Sequence, residues 1–171
     1  MEVFWRKGYG ATTPQDLLNA LGIGKGSLYN TFGSKHALFE QALHRYVDDR
    51  SRVLAELMEG SAPVRERLRK TLRFMADEGA RGCMIINAAG ELAGTDEVAV
   101  GVVRRDFDLA EGAFRALIEE GQRSGEIAPD RDPAALGSLL LNTVVGLRLL
   151  ARVEVGPDRL ARVIDATVDS L

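Results

Sequence analysis

Lys25, Ser27, Tyr29, Asn30 and Thr31 bring an ammonium, two hydroxyls, a phenol and an amide into one short run with no carboxylate among them. Such a set donates to phosphate oxygens without repelling them. Asn30 suits the edge of an adenine, and Thr31 suits a thymine methyl or a phosphate. The same run opens on Gly22-Ile23-Gly24-Lys25-Gly26-Ser27, which invites comparison with nucleotide phosphate loops. A dinucleotide fingerprint needs G-x-G-x-x-G after a strand. Here the third glycine comes one place early, and a capped helix precedes it. A P-loop needs Gly-Lys followed by Ser or Thr, and Gly26 follows Lys25.

A helix-turn-helix meets the requirements better. One helix ends at Leu21, a link spans Gly22–Gly24, and a helix of about two turns follows. Gly22 is expected in the left-handed conformation that ends a helix. Leu28 and Phe32 stand i, i+4 and face inward together. Lys25, Gly26, Ser27, Tyr29, Asn30 and Thr31 are then left outward, with Gly26 allowing close approach of the backbone. Lys35, behind Ser34, starts the next helix and Thr13 starts the supporting one. Free N–H groups there suit a phosphate. The plainer alternative is a solvated helix face, since short helix-turn-helix patterns also occur in proteins that bind no DNA.

The remaining reactive side chains assemble no catalytic set. His44 and Asp48 have the i, i+4 spacing of metal ligands but lack a third partner. No nucleophile lies beside a base and no carboxylates pair, so neither an enzyme nor a cofactor or metal is expected. Both histidines, His36 and His44, read as surface helix residues. Cys83 is either a sensor thiol, if acidic and exposed, or a small buried hydrophobe. As the single cysteine it makes no internal disulfide, which fits a reducing cytoplasm. Asn87 and Glu91 stand one turn apart in the apolar segment Arg81–Gly94, a face able to orient a small molecule. Phe74, Met75, Met84, Phe107, Phe114 and Arg148 are candidates to line the same space, with ordinary core or surface as the competing role.

The elements that must hold these residues are helical throughout. No strand alternation or hairpin signal occurs in the 171 residues, and the fold class expected is all-α. Glu2–Lys7 reads as a short helix ended by Gly8. Thr13 as N-cap, Pro14 at the first helical position and Asp16 as the third residue make a capping box, followed by Leu17, Leu18 and Leu21 as buried positions. Ser34 caps a long amphipathic helix, Lys35 to about Met58, with Leu38, Ala42, Tyr46 and Leu54 inward. Five further helices are expected near 63–78, 83–93, 96–123, 133–152 and 157–170, separated by breaks that include 79–82 and 154–156. The apolar stretch Leu136–Leu150 falls short of a membrane span, and Met1–Lys7 has no signal-peptide core.

The net charge of −3 excludes a basic nucleic-acid binder of the whole-chain kind. Residues 1–45, however, hold five basic and three acidic residues, so a mildly basic head sits on an acidic body.

The run "FWRKGYGATTPQDLLNALGIGKGSLYNTFGSKHALFEQAL", Phe4 to Leu43, closely resembles the N-terminal domain of the TetR/AcrR transcriptional regulators. The marks are Gly8-Tyr9 with Thr12-Thr13, Leu21-Gly22-Ile23, Leu28-Tyr29 with Phe32, and Ser34-Lys35 with Leu38. The resemblance implies a helix-turn-helix DNA-binding domain over 1–45 and a helical ligand-binding and dimerisation domain over 46–171. It places the family's recognition-helix tyrosine on Tyr29 and its phosphate-binding lysine on Lys35. Thr31 stands where histidine or tyrosine is frequent, so base preference does not transfer. The family's usual run-in, a basic arm and the first half of helix 1, has no counterpart before Met1.

The DNA-binding set is therefore Thr13, Lys25, Gly26, Ser27, Tyr29, Asn30, Thr31 and Lys35. The effector set is Phe74, Met84, Asn87, Glu91, Phe107 and Arg148. In the last two helices the small Ala135, Gly137, Ser138 and Gly146 and the apolar Leu140, Val144, Leu147 and Leu150 suit a four-helix bundle between two subunits, or packing within the chain. The expectation is a cytoplasmic homodimeric regulator, a repressor, that binds a palindromic operator in double-stranded DNA. A small molecule would release it, with no membrane partner and with Lys35–Met58 as the lever. The alternative is a helical protein-interaction module without DNA binding.

Overall fold

Thr13 Oγ1 accepts from the Asp16 N–H while the Asp16 carboxylate accepts from the Thr13 N–H, with Pro14 at the first helical position. This reciprocal cap satisfies backbone donors that a helix start leaves open, and it begins the second of the helices. A computed structural model describes residues 1–79, 82–153 and 156–171. Ala80, Arg81, Glu154 and Val155 lie outside the described residues, so the expected breaks at 79–82 and 154–156 and the first residue of Arg81–Gly94 fall partly there.

The chain is all-α. Its helices are α1 (Glu2–Ala11), α2 (Pro14–Leu21), α3 (Lys25–Phe32), α4 (Lys35–Met58), α5 (Val64–Gly79), α6 (Met84–Leu92), α7 (Glu97–Ser124), α8 (Pro133–Arg152) and α9 (Pro157–Asp169). Most boundaries follow the punctuation of the sequence. The first does not: α1 continues past Lys7 to Ala11 through a kink at Gly8, at φ 80 and ψ 175. Glycine takes that conformation without a steric penalty, so the helix bends and resumes where sequence reading placed its end. The Thr12 hydroxyl donates to the Gly8 carbonyl at 2.6 Å and secures the bend.

Two compact units divide the chain, Met1–Arg50 with Cys83–Arg105, and Ser51–Gly82 with Asp106–Leu171. The helices of 1–45 thus share their unit with residues 46–50, with α6 and with the start of α7. In this first unit Phe4 meets Phe39 edge-on with ring centroids 5.2 Å apart. Tyr9 meets Phe39 at 4.9 Å and Trp5 meets Tyr46 at 5.1 Å. Leu17, Leu28, Leu43, Met84 and Ile85 are buried in the same unit.

In the second unit α5 contributes Leu68, Leu72 and Met75 to a core with Leu140, Val144 and Leu147 of α8 and Ile164 and Val168 of α9. Arg69 fixes α9 to α5 through Asp165 at 3.0 Å and Asp169 at 2.8 Å. Arg67 is buried, donating to the Met58 carbonyl at 2.6 Å and pairing with Glu120. Leu140, Val144 and Leu147, considered for a subunit interface, belong to this chain's own core. Gly137 likewise packs within the chain, where a Cβ would lie 3.2 Å from the Glu111 carbonyl oxygen. The outward face of α8 is instead Leu139 and Leu149, at 43% and 55% exposure, continued at the helix's C-cap by Val153 at 65%. By length and composition α8 is long and apolar enough to cross a membrane. That goes beyond the expectation for Leu136–Leu150, because the helix also includes residues on either side.

Candidate nucleic-acid interface

Gly22 closes α2 in the left-handed conformation, at φ 66 and ψ 28. Gly24 then stands as the N-cap of α3 without a side-chain cap. α3 is held by one deeply buried residue, Leu28, at 2% exposure. Phe32, one turn on, is half-buried. Lys25, Gly26, Ser27, Asn30 and Thr31 are exposed, and Tyr29 is half-buried beside them. The outward set expected from i, i+4 logic is therefore presented to solvent on a short helix braced from one side. Leu21 departs from the pattern and is 47% exposed, because the left-handed turn at Gly22 carries the chain away directly after it.

Ser34 caps α4, its Oγ accepting the Ala37 N–H at 3.0 Å. Lys35 is half-buried, with Nζ 4.4 Å above the ring of Tyr9. That contact holds the ammonium at the positive end of the helix, where the dipole and open N–H groups favour an anion. At the start of α2, Thr13 is exposed, yet both its N–H and its hydroxyl donate to Asp16 Oδ2, at 2.9 and 2.8 Å. Lys7 reaches the other oxygen of Asp16 at 2.6 Å. The Lys7 ammonium and then the two Thr13 bonds hold the Asp16 carboxyl down at about 2. A phosphate at Thr13 must compete with that carboxylate, whereas among the described residues no carboxylate pairs with Lys25 or Lys35.

Three contributors to this surface were not legible in sequence. Tyr9 positions Lys35 from another helix. Lys7 offsets the charge of Asp16. His36, read as a surface residue, sits with Nε2 2.6 Å from Asp96 Oδ2, so it bridges α4 to the start of α7. Asp96 in turn caps α7 by accepting the Ala99 N–H at 3.0 Å, and that bond, ahead of His36, lowers its carboxyl from the ordinary value. All three contacts join residues too far apart in sequence for periodicity to reveal.

The effector candidates fall in both units. Met84, Asn87 and Glu91 lie in the first, and Phe74, Phe107 and Arg148 lie in the second. Met84 is buried core. Glu91 Oε2 accepts the Gly10 N–H at 2.8 Å and its carboxylate lies against Gly8, so it fastens α6 to α1. Phe74 is exposed, Phe107 half-buried and Arg148 buried. Cys83 is buried at the N-cap of α6, with the Tyr46 hydroxyl 3.7 Å and Arg50 Nη1 3.4 Å from Sγ.

Comparison with known proteins extends the picture. Residues 1–42 match the family described as bacterial regulatory proteins, tetR family, and residues 60–167 match the tetracyclin repressor-like C-terminal domain. The uncharacterized HTH-type transcriptional regulator YezE of Bacillus subtilis (strain 168) is 32% identical, over all of this chain and 91% of that protein. The HTH-type transcriptional repressor DhaR of Mycobacterium sp. (strain GP1) is 30% identical, over 90% of this chain and 78% of that protein. Among solved structures, a cysteine-substituted form of the TetR family regulator CifR, complexed with 26-base-pair operator DNA, superposes with a TM-score of 0.87. It is 26% identical, over 99% of this chain and 91% of that one. A regulatory protein TetR from Rhodobacter sphaeroides has a TM-score of 0.88 at 26% identity, over 98% and 92% of the two chains.

Proposed function

The chain belongs to the TetR family of DNA-binding transcriptional regulators, and on that premise we propose that it is a homodimeric, effector-responsive repressor acting in the cytoplasm on a palindromic operator. Each protomer places α3 in a major groove. Lys25, Ser27 and Tyr29 contact the backbone, Asn30 and Thr31 meet base edges, and Gly26 lets the helix approach. Lys35 and the start of α4 hold a flanking phosphate, and Thr13 makes a weaker contact because Asp16 competes for its donors. The observation that carries this reading is the exposed face of α3, rich in donors and free of carboxylates, backed by buried Leu28.

Dimerisation is supported by the outward face of α8. Leu139, Gly146 and Val153 stand seven residues apart, with Asn142 and Leu149 three residues after the first two. Up to the end of α8 that is the a/d spacing of a helix seam, and Leu139 and Leu149 on it, with Val153 at the C-cap, are large apolar side chains left exposed by this chain. A second protomer covers them, so no membrane need be invoked for α8. Two-fold symmetry then requires recognition helices about 34–36 Å apart.

The effector site belongs to the second unit, with Arg148 and Phe107 among its residues. On α6, Met84 and Glu91 serve packing within the first unit. Effector and operator oppose each other through one coupling free energy, about 1–3 kcal/mol in systems of this kind. Footprinting on the DNA flanking the protein's own gene tests the reading. The expected result is a protected palindrome whose half-site centres lie about 10 base pairs, or a multiple, apart. No protection at low salt would contradict it.

A further inference from the structure

Arg148 is 5% exposed, and its Nε has neither solvent nor a hydrogen-bond partner. Among the described residues no hydrogen bond or ion pair reaches its guanidinium. Val144, Leu147 and Ala151, its neighbours along α8, are apolar and buried. Its backbone is clamped: a Cβ on Gly79 would lie 2.8 Å from the Arg148 Cα and 3.1 Å from the Ala151 Cβ. The side chain therefore leaves a fixed point on α8 and is almost wholly removed from solvent. The facing helix α5 holds another polar atom of this kind, Thr71 Oγ1, fully buried and also without a partner.

An arginine stays charged in any protein environment, so burial cannot be relieved by losing a proton. Arg67 in the same unit, whose Nε is likewise unpartnered, has its terminal nitrogens met by a carbonyl and a carboxylate. Among the described residues Arg148 has no such partners. Buried charges left without a counter-charge are destabilising and persist where function requires them.

We propose that Arg148 is the anion-recognition residue of the effector site, and that the effector is a small, mainly apolar molecule carrying one carboxylate. The planar guanidinium matches a carboxylate bidentately, and the apolar neighbours match a hydrocarbon body. This assignment rests on the regulator reading above but concerns the ligand class alone.

Arg148→Met tests it, because methionine keeps an unbranched apolar chain and removes the charge. Sodium benzoate and sodium hexanoate are compared with benzamide and hexanamide at matched ionic strength, by thermal unfolding of the full chain. The acids are expected to raise the wild-type Tm by about 3–6 °C at tenfold excess over Kd, and the amides to leave it unchanged. Without ligand, Arg148→Met is expected to unfold at the same temperature as wild type or higher, and to lose the response to both acids. A destabilised Arg148→Met marks the arginine as structural and overturns the proposal. So does an acid response that survives the substitution, a wild type indifferent to both acids, or an equal response to inorganic phosphate. Duplex binding by the same wild-type preparation separates the two readings. DNA binding without acid response refutes the ligand class alone, while absent DNA binding refutes the regulator.

Discussion

The Lys35 ammonium lies 4.4 Å above the ring of Tyr9, and the same ring packs against Phe39 at 4.9 Å. One aromatic side chain thus ties the first residue of α4 to the core of the first unit. A long, flexible cation is delivered to the helix start with less of its rotamer freedom left to lose on binding a phosphate. Tyr9→Phe keeps the ring and is expected to bind duplex DNA like wild type. Tyr9→Leu removes it and is expected to weaken binding about twofold to fivefold, from the ~0.5–1 kcal/mol of an exposed cation–π contact. Fluorescence anisotropy well below the Tm of both variants checks this. Equal affinities would show that the ring does not position the lysine.

Gly8 is the backbone hinge of α1, at φ 80 and ψ 175, a region open essentially to glycine alone. A Cβ there would also fall inside the contact radius of Glu91 Oε1. The carboxylate is the far end of a flexible side chain and can move, so backbone strain decides the outcome. Gly8→Ala is expected to destabilise the protein by about 1–3 kcal/mol in urea unfolding. Adding Glu91→Ala should restore little of it. Full rescue by that second change would show that steric contact, not conformation, was the cause.

Asp16 has its carboxyl lowered from 3.8 to about 2, chiefly by the Lys7 ammonium and next by Thr13. A depressed folded value means that the unfolded chain binds the proton more readily. The stabilisation is therefore complete above about pH 4 and is lost as pH falls from there towards 2. Asp16→Asn should lower Tm at pH 7, more at low salt than at high salt because the group is exposed. The gap from wild type should close by pH 2. A gap that stays constant from pH 7 to pH 2 would assign the effect to helix capping geometry instead.

Much of the fold was legible because its signals are local. Thr13-Pro14-Gln15-Asp16 announces a helix start, Gly22 a stop, and Leu28 with Phe32 an inward face, and each acts within one or two turns. The candidate DNA surface follows from the same stretch, which also carries the family resemblance. What escaped is what lies between elements. Gly8 reads as a terminator unless Glu91 is known to pack on it. His36 reads as solvated until Asp96 is placed 2.6 Å away. The two faces of α8 are both apolar in sequence, so periodicity alone could not say which one this chain covers; Leu140 and Leu147 face its own core while Leu139 and Leu149 do not.

That uncovered face makes its own prediction. On a monomer, Leu149→Glu at an exposed helix position should change stability by no more than about 0.5 kcal/mol. On a dimer seam it buries a carboxylate against apolar side chains and should separate the protomers. Analytical ultracentrifugation is expected to show a dimer for wild type and a monomer for Leu149→Glu, with a Tm that depends on concentration only in wild type. A dimer that survives the substitution would move the interface elsewhere.

The exposed face of α3 as a DNA probe is tested most directly by titrating salt against affinity for duplex DNA, in wild type, Tyr29→Ala and Lys35→Ala. With Lys25 and Lys35 of two protomers neutralising phosphates, log K should fall against log salt with a slope of about −3 to −4. Lys35→Ala should flatten that slope by about 2 units per dimer. Tyr29→Ala should weaken binding with the dimer and helical content unchanged. Binding that ignores salt, or wild-type affinity in both variants, would contradict the account.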